Sequence, residues 1–273
     1  MRVAGCRVLV TGAGQGLGFA IAAAFVRAGA RVILTDLNAH AVESACANLK
    51  ESSDTITGYA LDVTNAEQVA DVRARVLAEH GRIDVLVNNA GVVFGGAFLD
   101  VPLPRHLATA NVNLGGVLAV THAFLPDLLA QPAGHVVNIA SASAILALPF
   151  GASYAATKWA VLGFSDSLRE ELQFLGHKHV HITAMCPSFI ATGLFAGAKP
   201  AFGTHWLTAE AVANAVVQAV EKRQEFVLLP RSVRLLYSFT GWWPRSWFRA
   251  ACRVLGVSRS MTDWKGHTPP APK

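Results

Sequence analysis

The 273-residue chain contains few charged residues and few cysteines. Charged side chains make up 15% of it and hydrophobic ones 52%, which excludes a disordered chain and predicts a large buried core. The four cysteines are far apart and include no CxxC pair, which argues against a zinc site or a disulfide framework. They are Cys6, Cys46, Cys186 and Cys252.

Two further absences concern location and metals. No uninterrupted apolar run reaches the length of a spanning helix, and the residues before Arg7 leave no room for a signal peptide, so we expect a cytoplasmic protein. His177, His179 and His181 alternate at the start of a predicted strand, where solvated side chains are more common than ligands. We therefore predict no metal site.

The positive charge is confined to one segment. The net charge is +5, but residues 231–265 hold seven basic residues and one acidic residue, so the remainder of the chain carries −1. Tryptophan and leucine dominate this basic segment, which disfavours nucleic-acid binding. The composition is compatible with a peripheral membrane contact, a substrate lid or a buried dimer element, and we leave these alternatives open.

Short β-branched runs alternate with long amphipathic stretches. This pattern predicts a Rossmann-type α/β fold, a doubly wound parallel sheet with helices on both faces in three layers. The predicted strands are Arg7–Thr11, Arg31–Asp36, Thr55–Leu61, Asp84–Asn88, His135–Ala140, His179–Cys186 and Glu225–Leu229. Residues 1–230 form one predicted catalytic domain, 231–265 an extension, and 266–273 a disordered tail.

A glycine-rich turn follows the first predicted strand. Gly12, Gly16 and Gly18 allow the backbone to approach a pyrophosphate, which the N-terminus of the next helix would bind. Asp36 ends the second strand, where a carboxylate accepts hydrogen bonds from the adenosine ribose and repels a 2′-phosphate. The neighbouring positions Gln15 and Leu37 supply no cation for such a phosphate, so we predict NAD rather than NADP.

These motifs together resemble the short-chain dehydrogenase/reductase family over roughly residues 5–230. The resemblance rests on Gly12-x-x-x-Gly16-x-Gly18, Asn88-Asn-Ala-Gly91, Ser141, Tyr154-Ala-Ala-Thr-Lys158 and Pro187-Ser188 in the family's order and spacing. The ending, residues 256–266, resembles the retinol and hydroxysteroid dehydrogenase branch. Ser188 departs from the family, which usually has glycine after the proline.

The resemblance implies a cofactor site and a proton relay. Asp62 and Val63 are expected at the adenine, and Asn113 is expected to anchor a relay water. The turn Asn88–Gly91 is expected beside the adenosine, and Ile190 and Thr192 at the nicotinamide carboxamide. The full set of expected cofactor residues is Gly12, Gln15, Gly16, Leu17, Gly18, Asp36, Leu37, Asp62, Val63, Asn88, Asn89, Ala90, Gly91, Tyr154, Lys158, Pro187, Ile190 and Thr192.

The spacing of Tyr154 and Lys158 explains why they can act together. Residues four apart share one face of a helix, so the ammonium, together with the positive nicotinamide of NAD, is expected to favour the phenolate of Tyr154 and lower its pKa. The phenolate can take a proton from a substrate hydroxyl while hydride leaves for the nicotinamide. Ser141 lies just past the fifth strand, where its hydroxyl can hold the substrate oxygen. Lys158 has a second expected role, a hydrogen bond to the nicotinamide ribose.

The predicted substrate side is apolar. The segment 189–206 has several aromatic residues, no acid and one base, which suits a lipophilic alcohol or ketone. The expected substrate residues are Ser141, Ile145, Phe150, Tyr154, Phe189, Leu194, Phe195 and Trp206. The helices 104–129 and 154–175, apolar on more than one face, predict a homodimer or homotetramer. A catalytically silent NAD-binding sensor or scaffold and a membrane-binding module are the alternative functions.

Overall fold

A computed structural model describes residues 1–50, 56–200, 205–230, 233 and 244–264. Seven parallel strands form one sheet in the order β3-β2-β1-β4-β5-β6-β7. The strands are β1 (Arg7–Thr11), β2 (Arg31–Asp36), β3 (Ile56–Ala60), β4 (Val85–Asn88), β5 (Gly134–Ile139), β6 (Val180–Pro187) and β7 (Phe226–Leu229). All seven predicted strands are confirmed, with bounds shifted by one residue at most.

Helices cover both faces of the sheet and confirm the predicted three-layer fold. They are α1 (Gly16–Arg27), α2 (Ala39–Lys50), α3 (Ala66–His80), α4 (Leu103–Ala110), α5 (Gly116–Leu129), α6 (Ala152–Phe174), α7 (Ala209–Lys222) and α8 (Arg245–Val254). A π-helical segment, Asn111–Gly115, joins α4 to α5. Of the predicted extension, residues 231, 232, 234–243 and 265 lie outside the described residues, as does the whole predicted tail.

The strand order places the site. The chain crosses from β3 back over β2 and β1 to β4, so the connections leave β1 and β4 in opposite directions. Ligands of doubly wound sheets bind at the carboxyl ends of the strands beside such a switch point. The glycine turn follows β1, the Asn88–Gly91 turn follows β4, and Ser141 follows β5, so the fold brings the predicted motifs to one edge.

One described helix is long and apolar enough to cross a membrane by length and composition. It spans Leu103–Leu129, comprising α4, the π segment and α5. Within it Val120, Phe124 and Leu128 are fully buried in the core cluster on one face of the sheet. A core helix of this kind passes the same composition test, and the contacts of this one are those of a core helix.

A buried histidine lies at the opposite edge of the sheet. The Nε2 of His135 is 2.7 Å from the Thr183 hydroxyl, which itself donates to the Gln224 carbonyl, so Nε2 carries the proton. The other ring nitrogen, Nδ1, has no partner within the described residues. Burial, reinforced by the nearby His181, lowers the pKa of His135 to about 3.

We therefore expect acid to destabilise the protein through His135. An unfolded histidine titrates near pH 6.5, so below that pH the unfolded chain binds a proton that the folded chain refuses. Stability should fall progressively as the pH drops below 6.5. Denaturant unfolding at pH 7 and pH 4.5 should show a loss of stability that is smaller for His135→Gln than for the native chain, by on the order of a few kcal/mol. Equal losses would contradict this origin.

Candidate active site

The glycine turn between β1 and α1 leaves no room for side chains. A Cβ built on Gly18 would lie 2.0 Å from the Gly12 carbonyl oxygen, and Gly12 itself has a φ of +63°. The first turn of α1 begins at Gln15 without a side-chain cap, so its N–H groups face outward. An uncapped helix N-terminus next to a narrow turn fits the pyrophosphate of a dinucleotide.

Two residues that sequence reasoning did not assign to the site hold this turn in place. The hydroxyl of Thr11 accepts hydrogen bonds from the backbone N–H groups of Asn89 and Ala90, at 3.0 and 3.1 Å. The backbone N–H of Gly14 donates to Asp36, 3.0 Å away. The Asn89 side chain in turn donates to the carbonyls of Thr11 and Gly12. The sequence signals for these roles were weak: Thr11 is a polar residue at the end of a strand, and Gly14 is one more glycine within the turn.

The Asp36 carboxylate, predicted to accept hydrogen bonds from the adenosine ribose, already accepts hydrogen bonds from the protein backbone. Besides Gly14, its carboxylate accepts from the backbone N–H of Asn38 at 3.0 Å. Leu37 beside it is 73% exposed, and Gln15 is also exposed. The carboxylate thus positions the glycine turn and still presents a negative charge to whatever lies against that turn.

The Asn88 side chain has a structural role. It points into the interior, where it donates to Thr121 and Asn138, each at 2.8 Å. Side chains alternate along a strand, and this one faces the helix layer, so only the backbone of Asn88 remains for the expected place beside the adenosine. Asn88 therefore braces β4 against β5 and α5, and the turn that follows it presents Asn89, Ala90 and Gly91 instead.

Asn113 also braces the site. Its amide donates to the Val92 carbonyl at 2.9 Å and to Thr157 at 3.2 Å, and it accepts from the Val92 N–H at 2.8 Å. Both amide hydrogens are therefore used on protein, so the side chain itself has no donor left for the expected relay water. The π segment thus ties the loop after β4 to α6, one residue from Lys158.

The remaining expected cofactor residues occupy three places. Asp62 accepts from the N–H and hydroxyl of Thr64 in a tight turn, and Val63 is buried under α5. Leu17 and Ile190 share a small apolar cluster, and Thr192 lies against Gly16. The loop that begins at Pro187 is therefore beside the glycine turn.

Ser141, Tyr154 and Lys158 come together as expected. A hydrogen bond links Ser141 to the phenol of Tyr154, and the Lys158 ammonium lies 5.6 Å from the Tyr154 ring centre. Lys158 is buried and donates to the Ile139 carbonyl at 2.7 Å, which leaves two of its three hydrogens. Ser141 also accepts from the backbone N–H of Ser143 at 3.1 Å.

Burial dominates the electrostatics of the site. It raises the pKa of Tyr154 to about 12, although the Ser141 hydrogen bond acts in the lowering direction. It lowers the pKa of Lys158 to about 8. We expected Lys158 and the positive nicotinamide of NAD together to lower the pKa of the phenol; in the chain without the cofactor, desolvation dominates. The resting site therefore holds a protonated phenol.

An aromatic row leads away from the Tyr154 ring. The ring centre of Phe195 is 5.6 Å from that of Tyr154, Phe189 is 5.3 Å from Phe195, and Trp206 is 5.8 Å from Phe189. Leu194 packs in the same apolar cluster, as do three residues that sequence reasoning missed: Val93, Met261 and Trp264. Ile145 belongs to a neighbouring cluster, and Phe150 is partly exposed.

Comparison with known proteins identifies the family. Residues 7–201 match the model of the short chain dehydrogenase family. The chain is 31% identical over 255 residues to human estradiol 17-beta-dehydrogenase 11, covering 93% of this chain and 85% of the relative. It is 31% identical over 262 residues to human epidermal retinol dehydrogenase 2, covering 95% and 85%.

Solved structures of other proteins have the same fold. A short chain dehydrogenase/reductase from Burkholderia phymatum, in complex with NAD, superposes with a TM-score of 0.81 at 24% identity over the full length of both chains. An alcohol dehydrogenase from Thermococcus sibiricus, complexed with 5-hydroxy-NADP, gives 0.73 at 27% identity over 82% of this chain and 95% of its own. The chain is an oxidoreductase of the short-chain dehydrogenase/reductase family, related to its retinol and hydroxysteroid dehydrogenases.

Proposed function

We propose that the protein interconverts a lipophilic alcohol and its ketone or aldehyde with NAD as the hydride carrier. The observation that carries this proposal is the group of Ser141, Tyr154 and Lys158 at the inner end of an apolar aromatic row, with the phenol and the ammonium buried and the serine half-buried. A silent NAD-binding scaffold would have no need of a desolvated phenol and ammonium beside a serine. Relatives named for a steroid and a retinol, both lipophilic alcohols, support the substrate class.

Each of the three side chains has a distinct task. Tyr154 gives a proton to the carbonyl oxygen during reduction and takes it back from the alcohol during oxidation. Ser141 donates to the same oxygen as charge develops on it. Lys158, charged at neutral pH, stabilises the phenolate and has two hydrogens left for the nicotinamide ribose. When bound, the nicotinamide supplies or accepts the hydride.

Burial sets the direction of the pH dependence. Since the pKa of Tyr154 is raised to about 12, the resting phenol is ready to donate, and reduction needs no prior deprotonation. Oxidation needs the phenolate and should be faster at alkaline pH. A screen of steroid, retinoid, long-chain and aryl alcohols with NAD and NADP in parallel tests the proposal. Failure of every pair to change cofactor absorbance would refute it.

The cofactor preference rests on Asp36. Its carboxylate lies against Gly14, where it would repel the 2′-phosphate of NADP. A relative of known structure carries 5-hydroxy-NADP, so family membership alone does not decide between the two cofactors. The charge of Asp36 and the exposed, uncharged Gln15 and Leu37 favour NAD.

We propose that α4, α5 and α6 form a homodimer face. Leu103, Leu107 and Leu118 on the first two helices and Trp159 on α6 are exposed, although all are large and apolar. Trp159→Glu should convert an oligomer into monomer in sedimentation at micromolar concentration, because a charge cannot be buried unpaired. Trp247→Glu, at an exposed tryptophan on α8, is the matched control. A native chain that is already monomeric would contradict the proposal.

A second proposed function, membrane-surface contact, is favoured by one observation on α8. Trp247 is 67% exposed and Val254 is 86% exposed. They are seven residues apart, so they lie on the same face of the helix, and Arg253 is exposed nearby. Such a helix suits an anionic lipid surface, where each basic residue contributes about 1 kcal/mol. Trp247→Ser with Arg253→Ser should lower binding to anionic vesicles at least several-fold, whereas Phe174→Ser on α6 should not. No vesicle binding by the native chain would exclude this function.

A further inference from the structure

The residues after α8 lie over the substrate side of the site. We define residues 257–264 as the cover. Met261 in the cover is only 2% exposed and belongs to the same buried apolar cluster as Tyr154, Val93 and Phe195. Met261 is therefore part of the apolar packing to which the catalytic ring belongs, although it is more than a hundred residues away in sequence.

The cover is fastened to the loop after β6. The Lys199 N–H donates to the Ser260 carbonyl at 2.8 Å, and the Lys199 ammonium forms an ion pair with Asp263 at 2.5 Å. The indole N–H of Trp264 donates to the Leu194 carbonyl at 3.3 Å. The Lys199–Asp263 ion pair is exposed, and Trp264 is only half-buried. Breaking these contacts therefore costs little free energy, so the cover can detach from the loop.

The cover also reaches the loop after β4. A Cβ built on Gly95 would lie 2.8 Å from two atoms of the Trp264 ring, so the indole lies directly against that glycine. Trp264 therefore contacts both the loop after β4, at Gly95, and the loop after β6, at Leu194. Gly256, with a φ of +79°, separates the cover from α8 and supplies a point at which the segment can turn.

Among the described residues, most of the Tyr154 side chain is covered. Tyr154 is 6% exposed, and the side chains over it are apolar, while the charges of Lys199 and Asp263 face outward. A substrate whose oxygen hydrogen-bonds to the Tyr154 phenol must place its hydrocarbon part within the apolar cluster that includes Met261. The cover must then move, and its apolar side chains must afterwards contact that body.

We infer that residues 257–264 form a movable cover of the substrate site, and that Met261 and Trp264 determine which apolar alcohols it accepts. This inference rests on the proposed function for its substrate and on the contacts above for the cover itself. The accepted alcohol is one whose body is apolar throughout, because the cover offers it no free charged or hydrogen-bonding side chain among the contacts described.

Substrate selectivity provides the first test. Met261→Ala should raise kcat/KM for a bulky polycyclic alcohol relative to a slender straight-chain one by about tenfold, since small changes in an apolar pocket alter selectivity by that order. Met261→Phe should shift the ratio the other way. Phe174→Ala, at an exposed position on α6 outside the cover, should leave the ratio unchanged. A ratio constant within twofold in both Met261 variants would overturn the inference.

A second test does not depend on turnover. The Lys199 amide, bonded to Ser260, should exchange slowly with deuterium in the native chain and at least tenfold faster in Trp264→Ala. Trp264→Phe, which keeps an aromatic ring but loses the indole N–H, should give an intermediate exchange rate. If the native chain oxidises no alcohol but the exchange rates follow this order, the cover stands and the proposed function fails. Equal exchange in the native chain and Trp264→Ala would overturn the cover.

Discussion

Tyr154→Phe is expected to lower kcat by about 10²–10⁴-fold, because general acid–base catalysis contributes that much. The substitution removes only the oxygen that transfers the proton. The ring keeps its edge contact with Phe195, 5.6 Å away, so the site should stay folded. Steady-state rates with the best alcohol of the screen measure the loss, and cofactor fluorescence should show unchanged NAD binding.

Tyr59→Phe is the matched control for this experiment. It removes the same phenolic oxygen from Tyr59, which lies on β3, the edge strand of the sheet, and whose hydroxyl donates to Glu79. Its kcat should equal that of the native enzyme. If Tyr154→Phe keeps more than a tenth of native activity, another group must move the proton, and the assigned mechanism is wrong.

Asp36→Asn is expected to shift the preference from NAD toward NADP by roughly a hundredfold in the ratio of kcat/KM. A like-charge contact costs several kcal/mol, and this change removes the charge at the predicted 2′ position. Asparagine keeps a side-chain oxygen that can still accept from the N–H of Gly14 or Asn38. Asp36→Ala would lose both bonds and loosen the glycine turn, so its effect would mix specificity with folding.

Asp62→Asn is the control for the removal of charge. Asp62 lies near the expected adenine rather than the ribose 2′ position, so the same loss of one negative charge should leave the cofactor ratio unchanged. A native enzyme that already prefers NADP would show that Asp36 does not exclude the phosphate. An equal shift in both variants would mean that net charge, and not position, sets the preference.

Local patterns were sufficient to predict the sheet and the clustering of Ser141, Tyr154 and Lys158. The β-branched runs predicted all seven strands, and the spacing of Ser141, Tyr154 and Lys158 brought three side chains together because strand ends and a helix face fix their directions. The inward direction of the Asn88 side chain could not be predicted, because a strand residue can face either layer and no residue nearby indicated which. The raised pKa of Tyr154 in the chain without cofactor could not be predicted either, because desolvation depends on everything packed around the ring.

The cover could not have been found from the sequence. Met261 and Trp264 lie in a segment whose composition fitted a lid, a dimer element or a membrane contact equally well. Their assignment depends on contacts with Gly95 and Leu194, which are 169 and 70 residues from Trp264 in the chain. Side-chain packing between such distant residues leaves no periodic signal.

The π segment Asn111–Gly115 has a consequence for engineering. A π turn is an α-helix with one residue inserted, and it is less stable locally than the regular helix on either side. Deleting one residue there would give an uninterrupted helix but would rotate Asn113 by about 100° away from Val92 and Thr157. The irregular turn is therefore a place where greater helix stability and an intact catalytic site are incompatible, and stabilised variants should be sought elsewhere in the chain.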